Sequence, residues 1–136
     1  MPGSFPLPSG CKTRIRPGKY HAAGFNTYVG LWKGPTEQQL AELKKAGMKV
    51  ICHQNEVGRK YIDDDIIIGW MHGDEPDNAQ SLGKGKGYGP PIPPKNIIDD
   101  YRKIRSADST RTVLLNLGRG VARDGHIYRI RQTNHD

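Results

Sequence analysis

Residues 25–53, FNTYVGLWKGPTEQQLAELKKAGMKVICH, decide the fold, because a strand pattern, a helix pattern and a second strand pattern follow one another directly. Residues 25–32 are rich in β-branched and aromatic residues, which favours a strand. Thr36 with Gln39 matches a capping box, and the apolar residues after it recur at helical spacing. Residues 48–53 predict the second strand. Strand, helix and strand in this order are typical of a parallel sheet flanked by helices.

The same alternation continues further along the chain. Residues 66–71, IIIGWM, form a continuous apolar run, which is typical of a strand covered on both faces. Residues 83–94, GKGKGYGPPIPP, predict a loop that forms a lid or rim. Apolar spacing over residues 97–104 predicts a helix, and residues 111–117 predict a further strand. We therefore expect an α/β fold with about four to five parallel strands and flanking helices.

Composition limits the class of protein. The 136 residues suit one domain. The net charge is +7, but residues 61–83 contain six acidic residues and no Lys or Arg, so the basic excess lies elsewhere. Because no recognised nucleic-acid-binding module accompanies the basic residues, we expect no nucleic-acid partner. We find neither a signal peptide nor an apolar run of about 20 residues, so we expect no membrane partner and leave the localisation open.

The two cysteines, Cys11 and Cys52, indicate neither a disulfide framework nor a zinc site, because no CxxC spacing is present. Cys52 lies in an apolar run and is predicted to be a small core residue. We expect no cofactor and no metal.

Polar residues follow each predicted strand. The carboxyl ends of parallel strands meet at one edge of a sheet, where βα proteins carry their functional groups. A tryptophan beside carboxylates and amides suits stacking on a sugar ring and hydrogen bonding to its hydroxyls. The candidate substrate-binding residues are Trp32, His53, Gln54, Asn55, His72, Asp74, Asp77 and Asn116.

Glu75 is the candidate catalytic residue. Glycoside hydrolysis needs one carboxyl that donates a proton to the leaving oxygen and a second that acts as nucleophile or base. Trp70, the isoleucines before it and Pro76 predict an apolar enclosure for Glu75. Asp74 is a poor second carboxyl, because neighbours along a strand point to opposite faces unless the strand ends or bulges between them.

Residues 19–122 resemble a group of barrel glycoside hydrolases from environmental bacteria, which are distantly similar to the clan-A retaining enzymes. The segments that carry the resemblance are YVGLWKGPTEQQLAELKKAGMKVIC, HQNEVG, IIGWMHGDEPDNAQ, GYGPPIPP and VLLNLGRGVA. The resemblance implies a partial (β/α)8 TIM barrel in which the four predicted strands are the second to the fifth, and residues 5–11 are a degraded first. Residues 1–18 and 123–136 match poorly, which predicts a truncated or frame-shifted reading frame.

The resemblance also implies roles at the site. Glu75-Pro76 resembles the Asn-Glu-Pro motif that carries the acid/base glutamate at the end of the fourth strand, with Asp74 in place of the asparagine. The nucleophile of this family lies on the seventh strand, which we expect to be missing from this chain. The predicted function is thus a fragment of a hydrolase acting on O-glycosidic bonds of a carbohydrate.

Other interpretations stay open. A non-catalytic carbohydrate-binding or structural barrel remnant fits the same residues, and an acidic pair before proline is often only a helix cap. A metal-dependent hydrolase is a weaker alternative, because imidazole and carboxylate groups are present without HxH or HExxH spacing. Gln54 and Asn116 equally suit hydrogen bonds to loop backbone.

Two further expectations concern packing. We expect Trp32, next to a turn, to serve as a sugar platform, and Trp70 to pack in the core. An open half-barrel leaves both sheet edges unpaired, which favours self-association.

Overall fold

The computed structural model describes residues 15–122. The strand predicted at residues 5–11, most of the poorly matching segment 1–18 and the segment 123–136 lie outside the described residues. The helices and strands are, in chain order, α1 (Pro17–Ala22), β1 (Thr27–Val29), α2 (Glu37–Lys45), β2 (Lys49–Cys52), α3 (Glu56–Lys60), β3 (Ile67–Asp74), β4 (Gln80–Ser81), β5 (Tyr88–Gly89), α4 (Pro94–Ala107), β6 (Thr112–Asn116) and α5 (Arg119–Ala122).

Four parallel strands form the central sheet in the order β1-β2-β3-β6, and β4 and β5 form a separate antiparallel pair. The predicted α/β class, with four parallel strands and flanking helices, is confirmed. Within residues 15–122, β1 and β6 each have one strand neighbour, and self-association through these edges stays a prediction. No helix in this part of the chain has the length and apolar character that crossing a membrane requires.

The helix α2 forms as its sequence predicts. Thr36 Oγ1 accepts from the Gln39 backbone N–H at 3.2 Å, and Gln39 Oε1 accepts from the Thr36 N–H at 3.0 Å, which completes the capping box. Leu40 and Leu43 are fully buried on one face of α2. Gly47 ends the segment with a φ of 69°, a conformation that glycine adopts without steric cost.

The core lies between the sheet and the helices. Its buried apolar residues are Leu31, Leu40, Leu43, Met48, Val50, Cys52, Ile66, Ile67 and Trp70. Trp70 and Cys52 are completely buried, so the predictions that both pack in the core are confirmed. On the opposite face of the sheet, Val29 is 51% exposed and Leu114 is 37% exposed. The apolar stabilisation therefore comes mainly from the helix-covered face.

Two local predictions need correction, and one helix is not predicted by the sequence. The unpredicted helix is α3, after β2, which at five residues is too short to show helical periodicity in the sequence. The segment 83–94 is not loop throughout, because β5 pairs with β4 across a glycine-rich turn. The strand predicted over residues 25–32 is shorter, since Gly30 turns the chain with a φ of 72° directly after β1.

A buried polar network joins Trp70 in β3 to the loop before β6. Trp70 Nε1 donates to Asp108 Oδ2 at 2.7 Å, and Arg111 Nη1 donates to the same oxygen at 2.9 Å. Asp108 Oδ1 accepts from the backbone and side chain of Thr110. Burial raises the pKa of Asp108, but hydrogen bonds from Thr110, Arg111 and Trp70 outweigh burial and hold the pKa well below its ordinary value. The network therefore stabilises the folded state as long as Asp108 is ionised.

We predict that Asp108→Asn lowers the free energy of unfolding at pH 7 by about 3 kcal/mol, because Arg111, whose side chain is 13% exposed, loses its counter-charge. Urea unfolding measures this value. Asp99→Asn is the matched control, since Asp99 forms ion pairs only at the surface of α4, and it should cost less than about 0.5 kcal/mol.

The pH dependence follows from the depressed pKa of Asp108. Its stabilisation is present above the unfolded carboxyl pKa of about 4 and is lost as the pH falls through the folded pKa. The difference between wild type and Asp108→Asn should accordingly shrink below about pH 4. Equal stability of the two proteins at pH 7 contradicts this account of the network.

Candidate functional site

The ends of β3 and β6 bring two predicted site residues together. Asp74 pairs with Asn116 in the register of the sheet, and Asn116 Nδ2 donates to Asp74 Oδ1 at 2.6 Å. The register shifts between Met71 and Asp74, so one strand carries an extra residue just before the site. Such irregularities redirect side chains at strand ends.

Glu75 follows with an unusual backbone conformation. Its φ is 47°, in the left-handed region that non-glycine residues rarely occupy. Its backbone N–H donates to the carbonyl oxygen of Asn116 at 2.9 Å, so the turn is fixed against β6. Lys33, after β1 at the same edge of the sheet, is the other non-glycine residue with positive φ in the described range. A strained conformation of this kind costs about 1–3 kcal/mol and concentrates at functional sites.

Asn78 holds the Glu75 carboxylate, and sequence reasoning did not single it out. Asn78 Nδ2 donates to Glu75 Oε2 at 2.8 Å, and the Asn78 backbone N–H donates to the Glu75 carbonyl at 3.1 Å. Asn78 Oδ1 accepts from the backbone N–H of Gly120 at 3.1 Å. The Glu75 side chain is exposed, so the predicted apolar enclosure does not surround it. Trp70 and Pro76, which suggested that enclosure, are buried.

Asp77 fastens the loop after β3 to the start of α5. Its Oδ1 accepts from the backbone N–H of Gly118 at 2.6 Å, and its Oδ2 accepts from that of Val121 at 2.7 Å. Burial opposes ionisation, but these N–H groups outweigh burial and lower the pKa of Asp77. With both oxygens bound to backbone, Asp77 positions the loop.

Three other predicted residues bind backbone groups. His72 is buried, its Nδ1 accepts from the Gly73 N–H at 2.6 Å, and its Nε2 lies 3.2 Å from the Ile97 carbonyl oxygen. Gln54 Nε2 donates to the Ile104 carbonyl at 3.2 Å.

Asn55 caps α3, with Oδ1 accepting from the Gly58 N–H at 2.8 Å and Nδ2 donating to the Pro35 carbonyl at 2.8 Å. The interpretation that Gln54 satisfies loop backbone therefore fits the structure, whereas the Asn116 side chain donates to the Asp74 carboxylate instead. Asn55 also binds backbone groups, which the sequence did not indicate.

Trp32 and His53 remain open to solvent. Trp32 is 69% exposed, and His53 is exposed directly after β2. Trp32 follows β1, and β2 separates β1 from β3, the strand that leads to Glu75. The accessible groups at this edge are thus Trp32, His53, Asp74, Glu75 and Asn116.

Among residues 15–122, no group of three or more His, Cys, Asp or Glu side chains lies close enough to hold a metal ion. The imidazoles and carboxylates that the metal-dependent alternative relies on are not assembled within this part of the chain.

Comparisons with protein-family models, with curated proteins and with solved structures found no match to this chain. The resemblance to barrel glycoside hydrolases therefore stays a prediction from the quoted segments.

We predict that Asp77→Ala speeds hydrogen exchange of the Gly118 and Val121 amides about tenfold, because each amide loses its carboxylate acceptor. Amide exchange followed by nuclear magnetic resonance measures the effect. Asp63→Ala is the matched control, since Asp63 is exposed and has no hydrogen-bond partner in the described residues. Unchanged exchange at both amides in Asp77→Ala contradicts the positioning role.

Proposed function

We propose that residues 15–122 form part of a (β/α) barrel of the glycoside hydrolase kind, in which Glu75 is the general acid/base. The observation that carries the proposal is the left-handed backbone of Glu75 at the carboxyl end of β3, fixed by the Asn116 carbonyl. A protein tolerates such strain where the surrounding structure holds a side chain in a required place.

The hydrogen bonds of Glu75 identify the atom that would transfer the proton. Asn78 donates to Oε2, while Oε1 has no hydrogen-bond partner among the described residues. Oε1 is then free to donate a proton to the leaving oxygen and, in the second step, to accept one from the attacking water. The amide of Asn78 keeps the carboxyl group from rotating between these steps.

The neighbouring groups suit a sugar. The exposed ring of Trp32 offers a stacking surface, and the amide of Asn116 and the carboxylate of Asp74 offer hydrogen bonds to hydroxyl groups. His53 extends this polar edge between them.

Retaining hydrolysis also needs a nucleophile about 5 Å from the acid/base carboxyl. Asp74 is bonded to Asn116, and Asp77 has both oxygens bound to backbone N–H groups. The resemblance puts the nucleophile on a seventh strand, so the proposal assigns only the acid/base half of the pair to these residues.

The exposure of Glu75 favours a second candidate function, carbohydrate binding without hydrolysis. A proton donor typically sits in an apolar enclosure, and the exposed Glu75 side chain lacks one. In that case the same edge binds the sugar and Glu75 accepts a hydrogen bond from a hydroxyl group.

We predict that, in a full-length homologue that carries the nucleophile strand, the change equivalent to Glu75→Gln lowers the turnover of activated aryl glycosides at least about 100-fold, because the deglycosylation step loses its general base. Stopped-flow release of the aryl alcohol should show a burst followed by the slow step. Glu42→Gln, an exposed glutamate on α2, is the matched control and should keep the wild-type rate.

Two outcomes contradict the acid/base role. One is a Glu75→Gln protein that turns over as fast as wild type. The other is a full-length homologue that binds saccharides and hydrolyses no aryl glycoside, which supports the second candidate.

A further inference from the structure

The hairpin formed by β4 and β5 carries exposed groups that the proposed reaction does not use. Ser81 pairs with Tyr88, and Gln80 pairs with Gly89. Tyr88 is 76% exposed, more than any other large hydrophobic side chain in the described range. Lys84 and Lys86 lie in the turn between the two strands.

The hairpin is fastened to the Glu75 loop at both ends. Gln80 Nε2 donates to the Asn78 carbonyl at 2.7 Å and to the Glu75 carbonyl at 3.2 Å. At the other end, the Ile92 N–H donates to the Pro76 carbonyl at 2.8 Å. The hairpin and the Glu75 loop therefore form one hydrogen-bonded unit.

Tyr88 is connected to Glu75 through Gln80. It is opposite Ser81, which follows Gln80, and paired strands lie about 5 Å apart with a rise of about 3.4 Å per residue. The Cα atoms of Tyr88 and Gln80 are then within about 10 Å of each other, and the Gln80 side chain donates to the Glu75 carbonyl oxygen. The hairpin that carries Tyr88 therefore continues directly from the Glu75 loop.

The face of the hairpin that carries Tyr88 is open. Leu82 covers the other face. Its Cδ2 atom lies 3.0 Å from the position that a Cβ atom would take if Gly89 carried a side chain. Ser81, which shares the face of Tyr88, is small and exposed. The aromatic ring is consequently free on a backbone that strand pairing holds in place.

The turn adds unpaired positive charge. Lys84 and Lys86 form no ion pair within the described residues, and residues 79–98 contain no Asp or Glu. The glycines around them have φ values of 104°, 77° and 76°, and the Lys86 N–H donates to the Gly83 carbonyl at 3.1 Å. The two ammonium groups are thus presented on an ordered turn, where they suit carboxylates of a ligand.

We propose that the β4–β5 hairpin is a binding subsite for an acidic glycan, with Tyr88 stacked on a sugar ring and Lys84 and Lys86 paired with uronic acid carboxylates. The proposal rests on the proposed function in that Glu75 marks where the saccharide begins. A nucleic acid fits less well, because two lysines and one aromatic ring at a single turn provide few contacts to a phosphate backbone.

Isothermal titration calorimetry with uronic acid tetrasaccharides and neutral tetrasaccharides tests the subsite. Wild type should bind a uronic acid tetrasaccharide more tightly than the neutral ones. Tyr88→Ala should weaken binding of every saccharide about tenfold, and Tyr88→Phe should keep it, because stacking needs only the ring. The control Tyr101→Ala changes an exposed tyrosine on α4 and should leave binding unchanged.

The double variant Lys84→Gln/Lys86→Gln tests the charge. It should weaken binding of the uronic acid tetrasaccharide about tenfold, reduce its salt dependence and leave neutral saccharides unaffected. Lys19→Gln/Lys45→Gln, on α1 and α2, is the matched control.

The inference is overturned if no uronic acid tetrasaccharide binds, if Tyr88→Ala binds like wild type, or if single-stranded DNA binds more tightly than the saccharides.

Failure of the subsite can be distinguished from failure of the proposed function. Lost binding in Tyr88→Ala with unchanged turnover in Glu75→Gln supports the subsite and rejects the acid/base role. The reverse pattern rejects the subsite alone.

Discussion

The pairing between the ends of β3 and β6 is the constraint on which the candidate site depends. Asn116 accepts from the Glu75 backbone N–H and donates to the Asp74 carboxylate, so one residue of β6 binds both the last residue of β3 and the residue after it. Asp77 and Asn78 likewise accept hydrogen bonds from the backbone N–H groups of Gly118 and Gly120, around the start of α5. Asn78 and Gln80 bind the carbonyl oxygen of Glu75, but among the described residues only β6 binds its backbone N–H.

The buried polar network and the candidate site lie in different parts of this sheet. The buried network of Trp70, Asp108 and Arg111 joins β3 to the chain before β6 from the helix-covered side. The exposed groups at the carboxyl ends of the strands contribute little burial and are free to bind a ligand. The β4–β5 hairpin extends that exposed edge away from the core.

Local signals account for what could be predicted from the sequence. The capping box of α2 and the buried run of β3 use residues close together in the chain, so the parallel α/β arrangement was predictable. The roles of Asp77 and Asn78 were not, because their partners Gly118 and Gly120 lie 41 and 42 residues further on. Gln54 and Asn55 show why the candidate site was predicted too broadly. Polar residues at strand ends also form hydrogen bonds to backbone groups, as these two do.

The most direct measurement of the role of Glu75 is azide rescue of the change equivalent to Glu75→Ala, in a full-length homologue that carries the nucleophile strand, on an activated aryl glycoside. Azide attacks a glycosyl-enzyme intermediate without needing a base to remove a proton. It therefore replaces the base-assisted attack of water in deglycosylation and no other step. The acid/base assignment predicts that azide restores turnover and yields a glycosyl azide of retained configuration. Turnover that azide does not increase, with no glycosyl azide formed, contradicts it.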